Sequence, residues 1–277
     1  NIQRQIDLVN CGWYTCWYAY QIATNKSVAK WLGCDYDKEI RAIKKKIMLK
    51  KTTLLLFFVS ISFSQNNLAV TYKVKIEDEK DLFSSNTTLR NYFVKAIQNS
   101  PLLEFKLICK KDMSKFYDST IFTNLDLSQK QTLLSFSSYS GIIYDEKKFL
   151  YKQSMILGNN IFLKKEKKND WVLQNETKEI NGFLCYKATS TNKIVYGEKV
   201  FNHPVTAWYC PTLPYNFGPN GYSGLPGLIL ELQVRNVVYG ASKIELNSTE
   251  TFKIETDKMK VLNEKEFEEA LNNLNDF

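Results

Sequence analysis

The chain has 277 residues, of which 44% are hydrophobic, 14% aromatic and 24% charged, and this composition excludes an unfolded or collagen-like chain. The formal net charge of +8 is concentrated near the start, where residues 1–64 hold ten Lys or Arg against four Asp or Glu. Residues 65–277 hold 27 basic and 25 acidic side chains, so they are nearly neutral and we expect no nucleic-acid partner.

A signal peptide is the first segment that the sequence predicts. Met48 is followed by two lysines and by an apolar run ending at Phe63, which is too short to span a membrane as a helix. We predict residues 48–64 to be the signal peptide, with cleavage after Ser64. No cysteine lies directly after the run, where a lipid would be attached, so we expect no lipid anchor. The prediction is an exported protein of the periplasm or cell surface, with no transmembrane segment after cleavage.

Residues 1–47 precede this signal. Because a signal peptide is read near an N-terminus, we interpret residues 1–47 as upstream read-through that is not part of the fold. The alternative is a small Cys-rich module built on Cys11, Cys16 and Cys34, although their spacing matches no zinc-binding pattern.

Residues 65–277 are predicted to form a single domain that is mainly β. Apolar and polar residues alternate over Leu68–Ile76, which indicates a half-buried strand, and helical spacing predicts a helix over Thr87–Gln98. An amphipathic pattern predicts a last helix over Asn263–Asn275. We expect a curved, largely antiparallel sheet with one or two covering helices. The other predicted strands are Leu102–Cys109, Phe149–Gln153, Asn160–Lys165, Trp171–Glu176, Gly182–Thr189, Lys193–Val200, Val205–Cys210 and Leu228–Val234.

Three cysteines follow the predicted signal peptide, so a monomer can form at most one disulfide among them. Cys185 and Cys210 each fall in a predicted strand, and they are the preferred pair over Cys109. The alternative is that each cysteine is a buried, unpaired hydrophobic residue.

Catalytic chemistry has little support in the sequence. His203 is the only histidine, which excludes metal sites that need two histidines, and we interpret it as a surface loop residue. We predict no metal, no cofactor and no catalytic residue. The basic run Lys164–Lys168 is interpreted as a solvated hairpin turn. The alternative is a hydrolase of envelope polymers that uses Glu176 or Glu231, with His203, as acid or base.

An aromatic strand that enters a loop rich in Pro and Gly is the most informative segment. Leu225-Pro226-Gly227-Leu228 suits a type II turn, in which Gly supplies the positive φ. One interpretation of this loop is a turn that leads into a core strand. The other is the mouth of a ligand pocket, formed by Trp208, Tyr209, Tyr215, Phe217 and Tyr222.

The same segment resembles a known family. It contains the hexapeptide Gly224-Leu225-Pro226-Gly227-Leu228-Ile229, which names the GLPGLI family of exported Bacteroidetes proteins. The resemblance implies export, but it implies no activity because none is established for that family. Further matches to the family pattern are Trp171, Glu176-Thr177-Lys178 with the residues up to Phe183, Cys185–Ala188, Ala207–Tyr209 and Gly218-Pro219.

We therefore predict an exported cell-envelope protein that is non-enzymatic and binds an apolar ligand or an envelope partner. The alternatives are the envelope-polymer hydrolase and a scaffold module of an envelope assembly. The expected partners are accordingly a small apolar molecule or an envelope protein.

Overall fold

The computed structural model describes residues 67–275, apart from 122–124, 147, 157, 168–169, 197–198 and 255–258. The predicted signal peptide and the segment 1–47 lie outside the described residues. All described residues belong to one compact unit.

The described chain forms twelve strands and three α-helices. The helices are α1 (Thr87–Asn99), α2 (Leu127–Phe136) and α3 (Glu264–Asn275). The strands are β1 (Asn67–Ile76), β2 (Glu104–Cys109), β3 (Met113–Asp118), β4 (Ile143–Glu146), β5 (Phe149–Ile156), β6 (Asn159–Glu166), β7 (Val172–Ile180), β8 (Phe183–Tyr196), β9 (Lys199–Cys210), β10 (Leu228–Val234), β11 (Val237–Ser248) and β12 (Lys260–Asn263).

All twelve strands belong to one sheet, in the order β12-β6-β5-β4-β3-β2-β1-β11-β10-β9-β8-β7. Neighbouring strands are antiparallel except β12, which pairs with β6 in parallel. The predicted fold, a mainly β and largely antiparallel sheet with covering helices, is confirmed.

The main core lies on one face of this sheet. Alternate residues of β1, from Leu68 to Ile76, are buried on that face, as the period-two pattern requires. Phe105 stacks on Phe116 with ring centroids 5.3 Å apart. The buried hydroxyls are satisfied, because Tyr72 donates to the Ile229 carbonyl at 2.6 Å and Tyr239 donates to the Ser137 carbonyl at 2.6 Å.

Helices α1 and α2 cover one part of the core. The Asn86 side chain caps α1 by accepting from the Leu89 N–H, and Asp126 with Gln129 forms a capping box at α2. Phe93 of α1 and Leu133 of α2 are buried against the main core. These helices are therefore held by their buried faces as well as by their caps.

A smaller apolar cluster lies on the opposite face of the sheet. Ile108, Tyr144 and Phe162 pack there against Phe252, which follows β11. Helix α3 contacts β6 and β12 beside this cluster, and its range agrees with the predicted helix.

One predicted strand and one predicted loop are wrong. Lys193–Val200 was expected to be a single strand, but Tyr196 at the end of β8 pairs with Lys199 at the start of β9, so the chain reverses there. His203 was expected in a loop and lies instead within β9, opposite Asn192.

Candidate functional site

The segment 211–227, which we call the strap, connects β9 to β10 and crosses the core face. Phe217 and Leu225 of the strap are buried in the main core. Gly221 of the strap lies against Leu150 of β5, and the Asn220 side chain donates to the Ser138 carbonyl at 3.3 Å. The strap therefore joins β9 and β10 to strands β4 and β5, which lie on the other half of the sheet.

Two glycines allow the strap to pass close to its neighbours. A Cβ at Gly227 would lie 2.3 Å from the Cys210 carbonyl oxygen, and one at Gly218 would lie 2.7 Å from the Ile229 Cβ. Gly227 has φ of +154° and its N–H donates to the Leu225 carbonyl at 2.8 Å. A hydrogen bond between residues two apart closes a tighter bend than the predicted type II turn. In a type II turn the third residue has φ of about +80°. The close approach to Cys210 requires this conformation.

The hexapeptide is explained by the same packing. Leu225, Leu228 and Ile229 are almost completely buried, whereas Pro226 is exposed. The Gly224 N–H donates to the Asn216 carbonyl at 3.0 Å, which closes the strap on itself. These contacts favour the interpretation of the motif as a turn that leads into a core strand.

A buried polar cluster anchors the strap beside the motif. Asp145 of β4 forms an ion pair with Lys167 and a hydrogen bond with the hydroxyl of Ser223, which directly precedes Gly224. The Trp171 indole N–H donates to the Ser223 carbonyl at 2.9 Å. Lys167 was predicted to be solvated in its basic run, but only 13% of its side chain is exposed. Its amino group also lies 5.5 Å from the Phe217 ring centroid.

The carboxyl group of Asp145 has an unusual protonation equilibrium. Burial raises the pKa of Asp145 from 3.8 to about 6, although the hydrogen bond and charge of Lys167 and the hydrogen bond from Ser223 act in the opposite direction. Burial therefore destabilises the charged carboxylate more than Lys167 and Ser223 stabilise it.

The five aromatic residues of the predicted pocket mouth lie in different surroundings. Tyr209 and Phe217 are 6% and 5% exposed and belong to the core. Trp208 precedes Tyr209 on the same strand, so the two side chains point to opposite faces of the strand, and Trp208 is half-buried and packs against the core. Tyr215 and Tyr222 are half-buried and pack against the core, and Tyr222 lies 6.3 Å from the Trp171 ring. Two grooves among the described residues are lined by other side chains.

Trp208 is the centre of a charged group that we call the Trp208 patch, composed of Glu176, Lys178, Lys187, Trp208 and Glu231. In the sheet register, Trp208 lies between Lys187 of β8 and Glu231 of β10. The amino groups of Lys178 and Lys187 lie 4.4 and 6.0 Å from its ring centroid. Lys178 contacts Glu231 at 2.6 Å and Lys187 contacts Glu176 at 2.9 Å.

The pairing of these charges bears on the hydrolase alternative. Glu176 and Lys178 lie on one strand, and each pairs with an opposite charge on another strand. Both carboxylates beside Trp208 are therefore engaged by lysines. Thr177 is exposed on the same strand.

His203 lines a groove of about 460 Å³ that is separate from the Trp208 patch. The acidic residues of this groove have partners of their own: Glu79 contacts Arg235 at 2.7 Å, Asp78 contacts Arg90 at 2.7 Å, and Glu77 accepts from the Gln233 amide at 3.3 Å. His203 is thus not brought together with Glu176 or Glu231.

The distal part of the β8–β9 hairpin is exposed on both faces, and we call its residues 190–196 and 199–203 the ribbon. β7 pairs with β8 only as far as Thr189, and β10 pairs with β9 only as far as Val205. Among the described strands, none other than β8 and β9 pairs with the ribbon. Its apolar residues lie in two opposed pairs, which are Ile194 with Phe201 and Val195 with Val200.

These apolar side chains are accessible to solvent. Val195 is 63% exposed and Phe201 is 45% exposed. The apolar surface continues at the base of the ribbon, where Val172 and Leu173 at the start of β7 are also exposed. Charged side chains are scarce on this part of the hairpin, so it is the clearest apolar surface that the sequence reasoning missed.

The three described cysteines are buried free thiols. Burial, reinforced by the adjacent Cys210, raises the pKa of Cys185 to about 12. Burial also raises the pKa of Cys109, on β2. The two preferred partners of the sequence analysis are therefore neighbours.

Metal-binding clusters and membrane-crossing helices are both absent from the described residues. No group of three or more His, Cys, Asp or Glu side chains is placed there to hold a metal ion. Within the same part of the chain, no helix combines the length and the apolar character that crossing a membrane requires.

Comparisons with known proteins give little further information. No curated protein matches the chain. Two crystal structures of PNGF-II, in the C2 and P21 space groups, match with 11% and 10% identity and TM-scores of 0.46 and 0.45. The matches cover 74% of this chain and 32% and 33% of those chains, so the chain spans about a third of their length. Residues 196–231 match the model of a family described as a protein of unknown function, Porph_ging, and this stretch contains the hexapeptide.

Proposed function

We propose that the chain is an exported, non-enzymatic protein of the GLPGLI type that binds an envelope partner protein through the ribbon. The observation that carries the proposal is the pair of apolar faces on a two-stranded projection. A two-stranded hairpin has little stability of its own in water. A hairpin that also exposes Ile, Val and Phe side chains becomes more stable when a partner protein buries them.

The free edge of β8 indicates the kind of partner. Beyond Thr189 no described strand occupies the side that β7 covers nearer the base, so main-chain groups of the ribbon are open to a further strand. An extended segment with apolar side chains would complete both the hydrogen bonding and the burial. The partner class is therefore a protein that adds a strand to this edge.

Three other observations support a binding role over the alternatives. The strap, where an apolar ligand was expected to enter, is packed into the core through Phe217 and Leu225. Each carboxylate of the Trp208 patch is engaged by a lysine. His203, the third residue of the hydrolase alternative, lies in another groove.

Site-specific photo-crosslinking tests the ribbon. A photoreactive amino acid at Val195 of the full chain, produced in a bacterium of the Bacteroidetes, should give a discrete crosslinked product with one envelope protein. Leu246 is the matched control because it is an aliphatic residue of similar exposure, 51%, on another strand. Excess unlabelled protein should compete the product away, whereas the I194S/F201S variant should not.

Equal crosslinking at both positions, or none at Val195, would contradict a specific partner.

Export is tested separately by the mass of the protein recovered from the periplasm or medium. We expect its N-terminus to be Gln65. Recovery of an uncleaved chain from the cytoplasm would contradict export, but it would not affect the crosslinking test of the ribbon.

A further inference from the structure

Cys185 and Cys210 occupy opposite positions at the base of the β8–β9 hairpin. The antiparallel register pairs Tyr186 with Tyr209, and Cys185 and Cys210 are the next two residues in that register. Directly opposite residues of antiparallel strands have Cα atoms about 4.5–5.5 Å apart, which lies within the range that a disulfide spans. The two thiols are close enough that Cys210 contributes to the raised pKa of Cys185.

The third described cysteine, Cys109, is not placed to form a disulfide with either of these two thiols. Cys109 lies on β2, and three strands separate β2 from β9 in the sheet. Cys185 and Cys210 are each fully buried, so neither is placed to react with a thiol of another molecule in the folded protein. The Cys185 thiol donates to the Phe183 carbonyl at 3.5 Å, and the Cys210 sulfur lies 3.0 Å from the Thr212 hydroxyl.

We propose that Cys185 and Cys210 form a cross-strand disulfide that closes the base of the hairpin. The two thiols lose two protons and two electrons to an oxidant of the disulfide class, which is reduced to two thiols. One cysteine thiolate attacks the oxidant to give a mixed disulfide, and the other displaces the remaining thiol of the oxidant. Because both sulfurs are buried after folding, this exchange takes place while the hairpin is still accessible.

The disulfide has a consequence for the ribbon. It closes a loop that contains every residue of the ribbon, and so limits the conformations of this segment in the unfolded chain. It also fixes the register of β8 and β9 at the end where β7 and β10 hold them. The ribbon then projects from a covalently closed base. The disulfide does not depend on the proposed partner, but its formation in the cell rests on the proposed export, which provides an oxidising compartment.

Oxidative refolding of the full chain tests the proposal. The unfolded, reduced protein is refolded with a mixture of oxidised and reduced glutathione, free thiols are alkylated, and the digest is analysed by mass spectrometry. We expect a linked peptide pair joining Cys185 to Cys210, about 2 Da lighter than the two reduced peptides together. The oxidised protein should have a Tm higher by on the order of 10 °C than the reduced protein.

Variants make the assignment specific. C109S should keep the linked peptides and the difference in Tm, whereas C185S and C210S should each lose both. Because a serine at these buried positions can itself hinder folding, the wild-type digest is the deciding measurement. Alkylation of both Cys185 and Cys210 after oxidative refolding, or a link from either of them to Cys109, would overturn the proposal.

Discussion

Gly227 passes so close to the backbone of Cys210 that no side chain fits between the two segments. We expect G227A to lower the free energy of unfolding by at least about 3 kcal/mol, because its Cβ would lie 2.3 Å from a carbonyl oxygen that cannot move independently. G240A is the matched control, since a Cβ there meets nothing within 4 Å. It should change the stability by less than about 0.5 kcal/mol. Urea unfolding of both variants measures this, and equal losses would refute the packing argument.

Asp145 makes the stability depend on pH. Its pKa is raised from 3.8 to about 6 in the folded protein, so the folded state binds a proton more tightly than the unfolded state does. The contribution of Asp145 to the free energy of unfolding therefore falls as the pH rises from about 4 to about 6, by up to about 3 kcal/mol. It is constant above that range.

The D145N variant isolates this contribution. The difference in free energy of unfolding, wild type minus D145N, should decrease as the pH rises from 4 to 6, because Asn does not titrate. The pKa of about 6 already includes the effect of Lys167, so the loss of that ion pair in D145N does not reverse the trend. Urea unfolding at several pH values measures the difference. An increase with pH would show that the carboxyl pKa is lowered in the folded protein.

At the scale of elements, the ribbon differs from the strands around it. We expect I194S/F201S to lower the free energy of unfolding by less than about 1 kcal/mol, because both residues are substantially exposed. L232A, at a fully buried position on β10, should cost about 2–5 kcal/mol. Thermal and urea unfolding compare the two. A large loss for the ribbon variant would show that it packs against part of the molecule and is not a free docking surface.

Local patterns predicted the elements that have strong periodicity or clear caps. The alternation over Leu68–Ile76 and the helical spacing from Thr87 both correspond to elements of the structure. The β8–β9 hairpin was divided wrongly because β8 and β9 extend beyond the strands that flank them. The residue pattern of a segment does not show how far its strand extends. The residues Ile194-Val195 and Val200-Phe201, on either side of Gly197-Glu198, were a signal for a hairpin turn.

The candidate site was less predictable because its contacts join distant parts of the chain. Lys167 belongs to a basic run, and nothing in that run indicates that one of its lysines is buried beside Asp145. The pairing of Lys178 with Glu231 spans 53 residues. The hexapeptide could be identified from the sequence, but the reason for its second glycine is the backbone of Cys210, which only the fold brings close.

At the scale of the whole molecule, the strap connects two halves of a sheet that could otherwise act separately. The main core is continuous from β4 to β8, with Ile143 and Cys185 in one cluster. Asp145 and Ser223 add a polar contact across the same face. A continuous core of this kind predicts that both halves unfold in a single cooperative transition.

Pulsed thiol labelling of the reduced protein tests this cooperativity, because a buried cysteine reports on each half. Cys109 lies on β2, on the β4 side of β1, and Cys210 lies at the end of β9, on the other side. After equilibration in urea and a short pulse of alkylating reagent, digestion and mass spectrometry give the labelled fraction of each cysteine. We expect the two midpoints to coincide in the wild type and to shift together in G227A. Reaction of Cys210 at a lower urea concentration than Cys109 would mean that the strap does not couple the two halves.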